Sequence, residues 1–273
     1  MKLKIILMVF ISIIFLTKNT AAIIIHHDDD KHEHEHIHFA HPIVTETPSP
    51  DTKIRIDYFY RNINSGTLKT HTTRLELEYA FFPSFSIEVD LPYTIVNPSL
   101  GSTESNFNTV SVALKFANFA LEEHNILLGY GLEFGLPSGN QAIGVGSDHI
   151  VELAPFFSIG YMLDKFDFIG HVAFGIPTNL DTNIGDEFET EFENNFSVMY
   201  HVNERLQILM ELDKSTVING DAAGTTITNI SPGVKFQPFD NHHLMVGVSA
   251  GFPVTNLEGF DARIIGSVFY HLD

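Results

Sequence analysis

Residues 26–42 read HHDDDKHEHEHIHFAHP and hold His26, His27, His32, His34, His36, His38 and His41, seven of the fifteen histidines in the chain. Neutral imidazole is a good nitrogen ligand for divalent transition ions. In an extended chain, residues two apart share one side at a spacing of about 7 Å. His32, His34, His36 and His38 alternate with Glu33, Glu35 and Ile37, so they can converge on Zn²⁺, Cu²⁺ or Ni²⁺, with Asp28, Asp29 and Asp30 as hard auxiliary ligands. The expectation is zinc or another divalent transition metal held in several interchanging modes, with no cofactor required. The opposing reading is a solvated acidic tail whose histidines gain charge below about pH 6.5.

A second chemistry to weigh is acyl transfer, because Ser147, Asp148 and His149 are consecutive. A serine nucleophile needs a histidine base within hydrogen-bond reach and a third group to orient that base. A "GSDH" stretch is more often a polar strand entry, and the chain lacks the HxSNG signature of outer-membrane lipid hydrolases. The sequence is therefore read as non-enzymatic.

The elements that must position these residues begin with a leader. Lys2 and Lys4 precede an apolar run from Ile5 to Leu16, then TKNTAA, which is the layout of a signal peptide over 1–22. That run is shorter than the ~20 residues a membrane-spanning helix needs. Residues 23–50, which include TETPSP, read as a disordered tail and linker, and 51–273 as one β domain. The chain has no cysteine, so no disulfide supports it. With 34 acids against 15 Lys plus Arg, its net charge of −19 excludes nucleic acid as a partner and favours cationic or neutral ones.

From Lys53 onward apolar and polar residues alternate with period two. KIRIDYFY places Ile54, Ile56 and Tyr58 opposite Lys53, Arg55 and Asp57. RLELEYAF and SIEVDLPY repeat the pattern, and further candidates lie near 109–119, 126–136, 149–161, 166–176, 191–202, 206–215, 226–237, 244–254 and 261–272. About twelve strands of 9 to 12 residues have the length needed to cross a bilayer at a strong tilt. Val110, Val112, Leu114 and Phe116 exemplify the outward face, while Lys115, Glu133, Glu152, Asp167, Lys235 and Arg263 point inward. Short links (FFPSF, ALEEHN, LDK, NER) alternate with long ones (NPSLGSTESNFN, PSGNQAIGVGSD, PTNLDTNIGDEFE), as in bacterial membrane barrels. Tyr79, Tyr161, Tyr200 and Tyr270 fall outward near the short links, where an interfacial aromatic belt belongs. The predicted fold is all-β, a transmembrane antiparallel up-and-down barrel. The alternative is a soluble secreted β-sandwich, which also alternates. Pro155 and Pro232 interrupt strands, and β-bulges or shifted strand boundaries are the expected accommodation.

LLGYGLEFGLPSGNQAIGVGSDHIVELAPFFSIGY, ISPGVKFQP and HLMVGVSAGFPV resemble the outer-membrane transporter family associated with the meta-cleavage pathway of phenol degradation, over roughly residues 70 to 273. The resemblance implies an outer-membrane β-barrel that moves small molecules, and brings no catalytic residues. Such barrels commonly end in an aromatic residue read by the barrel assembly machinery. Here the chain ends SVFYHLD, which keeps the alternation of Val268, Tyr270 and Leu272 without a terminal aromatic.

Glu191, Glu193, Glu211 and Asp213 have few nearby bases, His201 being one, and are the candidate acidic wall of a lumen that attracts cations. Arg55, Arg74, Glu76 and Glu88, in contrast, are placed to pair with one another. The leading expectation is a channel or transporter for small molecules or cations in the outer membrane of a Gram-negative bacterium. Outer-membrane lipid surrounds it, both termini are periplasmic, and the histidine tail binds metal. The second expectation is a non-conducting barrel with a structural wall.

Overall fold

The computed structural model describes residues 36–179, 189–239, 243–255 and 259–272. The leader and His26, His27, His32 and His34 lie outside them. The strands are β1 (Lys53–Ile63), β2 (Leu68–Phe82), β3 (Phe85–Pro98), β4 (Glu104–Phe107), β5 (Val110–Asn118), β6 (Ile126–Leu136), β7 (Ile150–Leu163), β8 (Phe166–Asn179), β9 (Glu191–Asn203), β10 (Leu206–Val217), β11 (Thr226–Phe236), β12 (Leu244–Pro253) and β13 (Ala262–His271).

Every pairing is antiparallel between neighbours in sequence, apart from β3 with β5 and the seam, where β1 pairs β13 with Lys53 opposite His271. The sheet thus closes into a twelve-stranded barrel, and β4 is an extra strand added to β3 in the first long loop. Alternation alone placed the twelve. β4 is only four residues long and carries no periodic signal of its own.

The polarity is inverted relative to a soluble protein. Ile54, Ile56, Tyr58, Ile208, Met210, Ile264 and Val268 are exposed on the outside, whereas Lys53, Arg55, Asp57, Glu76, Lys115 and Lys235 are buried inside. An apolar surface encircling a charged interior suits hydrocarbon and not water, which rules out the soluble sandwich. The expected tyrosines belong to a ring of aromatic contacts near the short turns. Tyr79 meets Phe81 at 4.8 Å, Phe85 meets Phe116 at 4.8 Å, and Phe166 meets Tyr200 at 4.9 Å between centroids.

The two prolines are accommodated without the expected bulges. The β7–β8 ladder runs from Leu153↔Ile176 to Phe156↔Ala173 with no change of register, skipping Ala154 and Pro155. The β11–β12 ladder likewise skips Ser231 and Pro232, while Pro232 stays opposite Met210 on the other side. A proline lacks one donor, so only one ladder opens. At the second gap the Ser249 hydroxyl donates to the Pro232 carbonyl at 3.1 Å.

Candidate functional site

Residues 37–51 lie inside the barrel, although 37–50 were expected to be tail and linker. Phe39, Ile43, Thr45, Thr47 and Ser49 are all at most 2% exposed. The segment folds back on itself, with the Phe39 amide donating to Ser49 Oγ at 2.9 Å. Two wall glycines make the room. A β-carbon on Gly160 would stand 2.6 Å from the Phe39 ring, and one on Gly129 would stand 2.7 Å from the Pro48 Cα. Phe39 and Ile43 pack with Leu127, Ile169, Met199, Leu209 and Ile265, apolar residues on the lumen face.

The polar fit is equally specific. Glu211 accepts the backbone N–H groups of Ile43 at 3.2 Å, Val44 at 2.9 Å and Thr45 at 2.8 Å. Successive amides converging on one carboxylate form an anion nest, here reversed so that the wall supplies the anion. Arg55 donates to the Ile43 carbonyl and Lys235 to the His41 carbonyl. Lys115 bridges Glu46 at 2.5 Å, Glu78 at 3.2 Å and Glu88 at 3.3 Å. Lys115 holds the Glu46 carboxyl below the usual carboxylate range, although burial pushes the other way.

Around the segment, the charges of β1 to β3 pair with one another as the sequence suggested. Lys53 bridges Glu78, and Glu76 at 2.9 Å; Arg55 meets Asp57 at 2.9 Å; Arg74 reaches Asp57 at 3.0 Å and Asp90 at 3.4 Å. Glu76, Glu88 and Asp90 lie close together, but Lys53, Arg74 and Lys115 neutralise them, so they form an ion-pair network and not a cation site.

The proposed acidic wall divides. Glu211 is wholly buried against the segment. Asp213 pairs Arg263 at 2.7 Å, and the Asn229 amide donates to it at 2.6 Å. Glu191 and Glu193 line a cavity of about 370 Å³ whose lining extends from Thr225 and Ile227 to Val44 of the lumen segment. A second cavity of about 570 Å³ includes Glu191, Arg61, Thr70 and Thr94. Among the described residues, Glu133, Glu152, Glu191 and Glu193 are in no ion pair. His201 pairs Asp167 at 2.8 Å and none of these acids.

At the opposite, short-turn end the histidines separate. His36 stacks on Phe119 at 4.1 Å and faces Glu122 at 3.1 Å. His38 and His41 join two residues that metal-ligand spacing in the tail did not suggest, Asp51 and His271. His41 Nε2 lies 3.0 Å, and His271 Nδ1 2.7 Å, from the same oxygen, Asp51 Oδ2. One ligand atom each from His38, His41 and Asp51 lies within 4.8 Å of the others. His41 is 3% exposed, and burial, helped by Lys53, holds its imidazole well below the ordinary range, hence neutral and able to ligate. Burial pushes the Asp51 carboxyl up, but the hydrogen bonds from His271 and His41 outweigh it and hold the group far below the usual range.

Ser147, Asp148 and His149 are adjacent but not a triad. Asp148 at 2.7 Å and Ser147 at 3.4 Å both face His149 Nδ1, where catalysis needs them on opposite ring nitrogens.

Solved structures share this architecture. An outer membrane channel from Pseudomonas putida F1 superposes with a TM-score of 0.61 at 13% identity, covering 81% of this chain and 94% of that one. The NanC porin gives 0.54 at 9% identity, over 81% and 98% of the two chains. The KdgM porin in complex with disordered oligogalacturonate gives 0.53 at 11%, over 80% and 99%. The fold is that of outer-membrane channels. No protein-family model matches the chain, and no curated protein sequence does.

Proposed function

We propose that this protein is an outer-membrane channel for small solutes, held closed at its short-turn end by residues 37–51 and open as an acidic vestibule at its long-loop end. The observation that carries this reading is the closed barrel with an apolar exterior and a charged interior, whose long-loop half keeps open cavities. Twelve strands enclose more than the side chains of the wall can fill, which is why the segment fits inside. Carboxylates in no ion pair at Glu152, Glu191 and Glu193 raise the local concentration of cations and repel anions, so the solute is cationic or neutral. In this reading both termini are periplasmic, as short turns face that side in bacterial barrels. The resemblance to transporters associated with phenol degradation adds small aromatic molecules as neutral candidates.

One observation favours a second reading. The lumen segment is largely buried and held by several wall hydrogen bonds, which suits a barrel that does not conduct. Planar-bilayer recording separates the two, using the mature chain and a variant lacking residues 23–51. The channel reading expects closed or rare openings from the first and steady cation-preferring conductance from the second. Silence from both would establish the non-conducting barrel.

A further inference from the structure

The lumen segment is anchored at mid-barrel by Glu211 and at the barrel mouth by the cluster around Asp51, and the two anchors differ in kind. The Glu211 anchor is complete, since both carboxylate oxygens are engaged by amides. The mouth cluster gathers imidazole nitrogens and a carboxylate oxygen beside a cavity of about 430 Å³, lined in part by His38, His41, His201 and His271. We propose that His38, His41 and Asp51 form a binding site for a divalent transition ion, with His271 positioning Asp51, and that the ion latches the start of the lumen segment to Asp51 at the foot of β1.

The ligand types are those of zinc sites, two imidazoles and one carboxylate, with a fourth place for water. Around a tetrahedral ion at about 2.0 to 2.2 Å the ligand atoms stand about 3.3 Å apart. His41 Nε2 and Asp51 Oδ2 already stand at 3.0 Å, so the closure required falls on His38, whose side chain is exposed and has room to swing. Asp51 Oδ2 has two lone pairs. One accepts the His271 N–H at 2.7 Å and the other is free for the ion once His41 presents its bare Nε2. A carboxylate held this way by a neighbouring imidazole keeps its orientation when it ligates. Asp51 Oδ1 is fixed as well, accepting the Thr52 amide at 2.7 Å. The site ties residues 38 and 41 to residue 51 at the foot of β1, whose carboxylate His271 of β13 already holds across the seam, so filling it opposes withdrawal of the segment.

Metal binding to this site does not require conduction; only its consequence for gating rests on the channel reading. The test uses the full mature chain in detergent, with His26, His27, His32, His34 and His36 replaced by Gln to silence the rest of the histidine tract. Co²⁺ is the spectroscopic probe and Zn²⁺ the calorimetric one. One equivalent of Zn²⁺ and a tetrahedral Co²⁺ visible spectrum are expected, with both lost in His38→Gln, a substitution at an exposed position that leaves heat-modifiable gel migration intact. No binding in the tail-silenced protein, or binding unchanged by both His38→Gln and Asp51→Asn, would overturn the site. For the latch, Thr47→Cys places a single thiol at a fully buried position of a cysteine-free chain. With free Zn²⁺ at ten times its dissociation constant, maleimide labelling slows about tenfold, and the effect vanishes with His38→Gln. Equal labelling rates with and without Zn²⁺ would refute the latch while leaving the metal site standing. Silence in bilayers would touch only the channel reading.

Discussion

The two halves of the lumen use the same residue type for opposite ends. In the short-turn half, every acid of β1 to β3 that faces inward has a base within 4 Å, and Glu211 has three amides. In the long-loop half, Glu133, Glu152, Glu191 and Glu193 are in no ion pair among the described residues, and Glu191 and Glu193 line open cavities. An acid enclosed without a partner is costly, so the first set exists only because partners were supplied with it. Glu191 and Glu193 of the second set escape that cost by lining cavities with room for water. Carboxylates in the first half hold structure, and those in the second set a field.

That contrast can be broken by substitutions read through the same Thr47→Cys labelling assay. The largest effect is expected from Glu211→Ala, which strips the acceptor from three buried amides. Loss of these charge-assisted bonds costs about 3 kcal/mol of segment docking, seen as about a hundredfold faster labelling. A rate within twofold of the parent would show that Glu211 is no clamp. Next comes Gly160→Val, where the new side chain overlaps the Phe39 ring. Overpacking of this kind costs about 2 kcal/mol, or about thirtyfold in labelling. An unchanged rate would mean the ring has somewhere else to go.

The far half should answer differently. In the variant lacking residues 23–51, Glu191→Gln with Glu193→Gln lowers the cation-to-anion permeability ratio by about threefold, measured as a shift in reversal potential across a salt gradient. The same pair in the full chain leaves Thr47→Cys labelling within about twofold. If instead this pair speeds labelling as Glu211→Ala does, the division of the lumen into two halves fails. The smallest effect belongs to His36→Ala at the rim, where an exposed imidazole stacks on Phe119. Losing it costs about 0.5 kcal/mol, a twofold change in labelling at most.

The barrel was legible in the sequence because period two reports which face of a strand is apolar, and twelve strands and their links were read from it. What fills the barrel was not, because alternation says nothing about the space enclosed. TETPSP resembles a linker by composition, and in water it would be one. Inside a polar lumen its amides and hydroxyls find Glu211 and Ser49, so a polar segment can be buried there. Two signals pointed to it. Leu127, Ile169, Met199, Leu209 and Ile265 are apolar at inward positions where a water-filled channel has no use for them, and Phe39 and Ile43 are apolar in an otherwise charged tail. The histidine cluster was half legible. His38 was suggested by local spacing and His41 by its place in the histidine-rich stretch, but Asp51 depends on the segment folding back and His271 on closure of the seam, neither of which spacing can show.

That seam carries a further consequence. Residues 37–51 run directly into β1, and β1 finds its second neighbour only when β13, the last strand of the chain, arrives opposite it. Contacts of such long sequence separation form late, since the loop between them must be closed before they return anything. Lys235 on β11 and His271 at the end of β13 grip the segment from the far side of that seam. Of the groups that hold the segment, His271 therefore reaches it only across the closed seam. The lumen segment thus ties the two ends of the chain together from within, held on one side by β1 and on the other by β13.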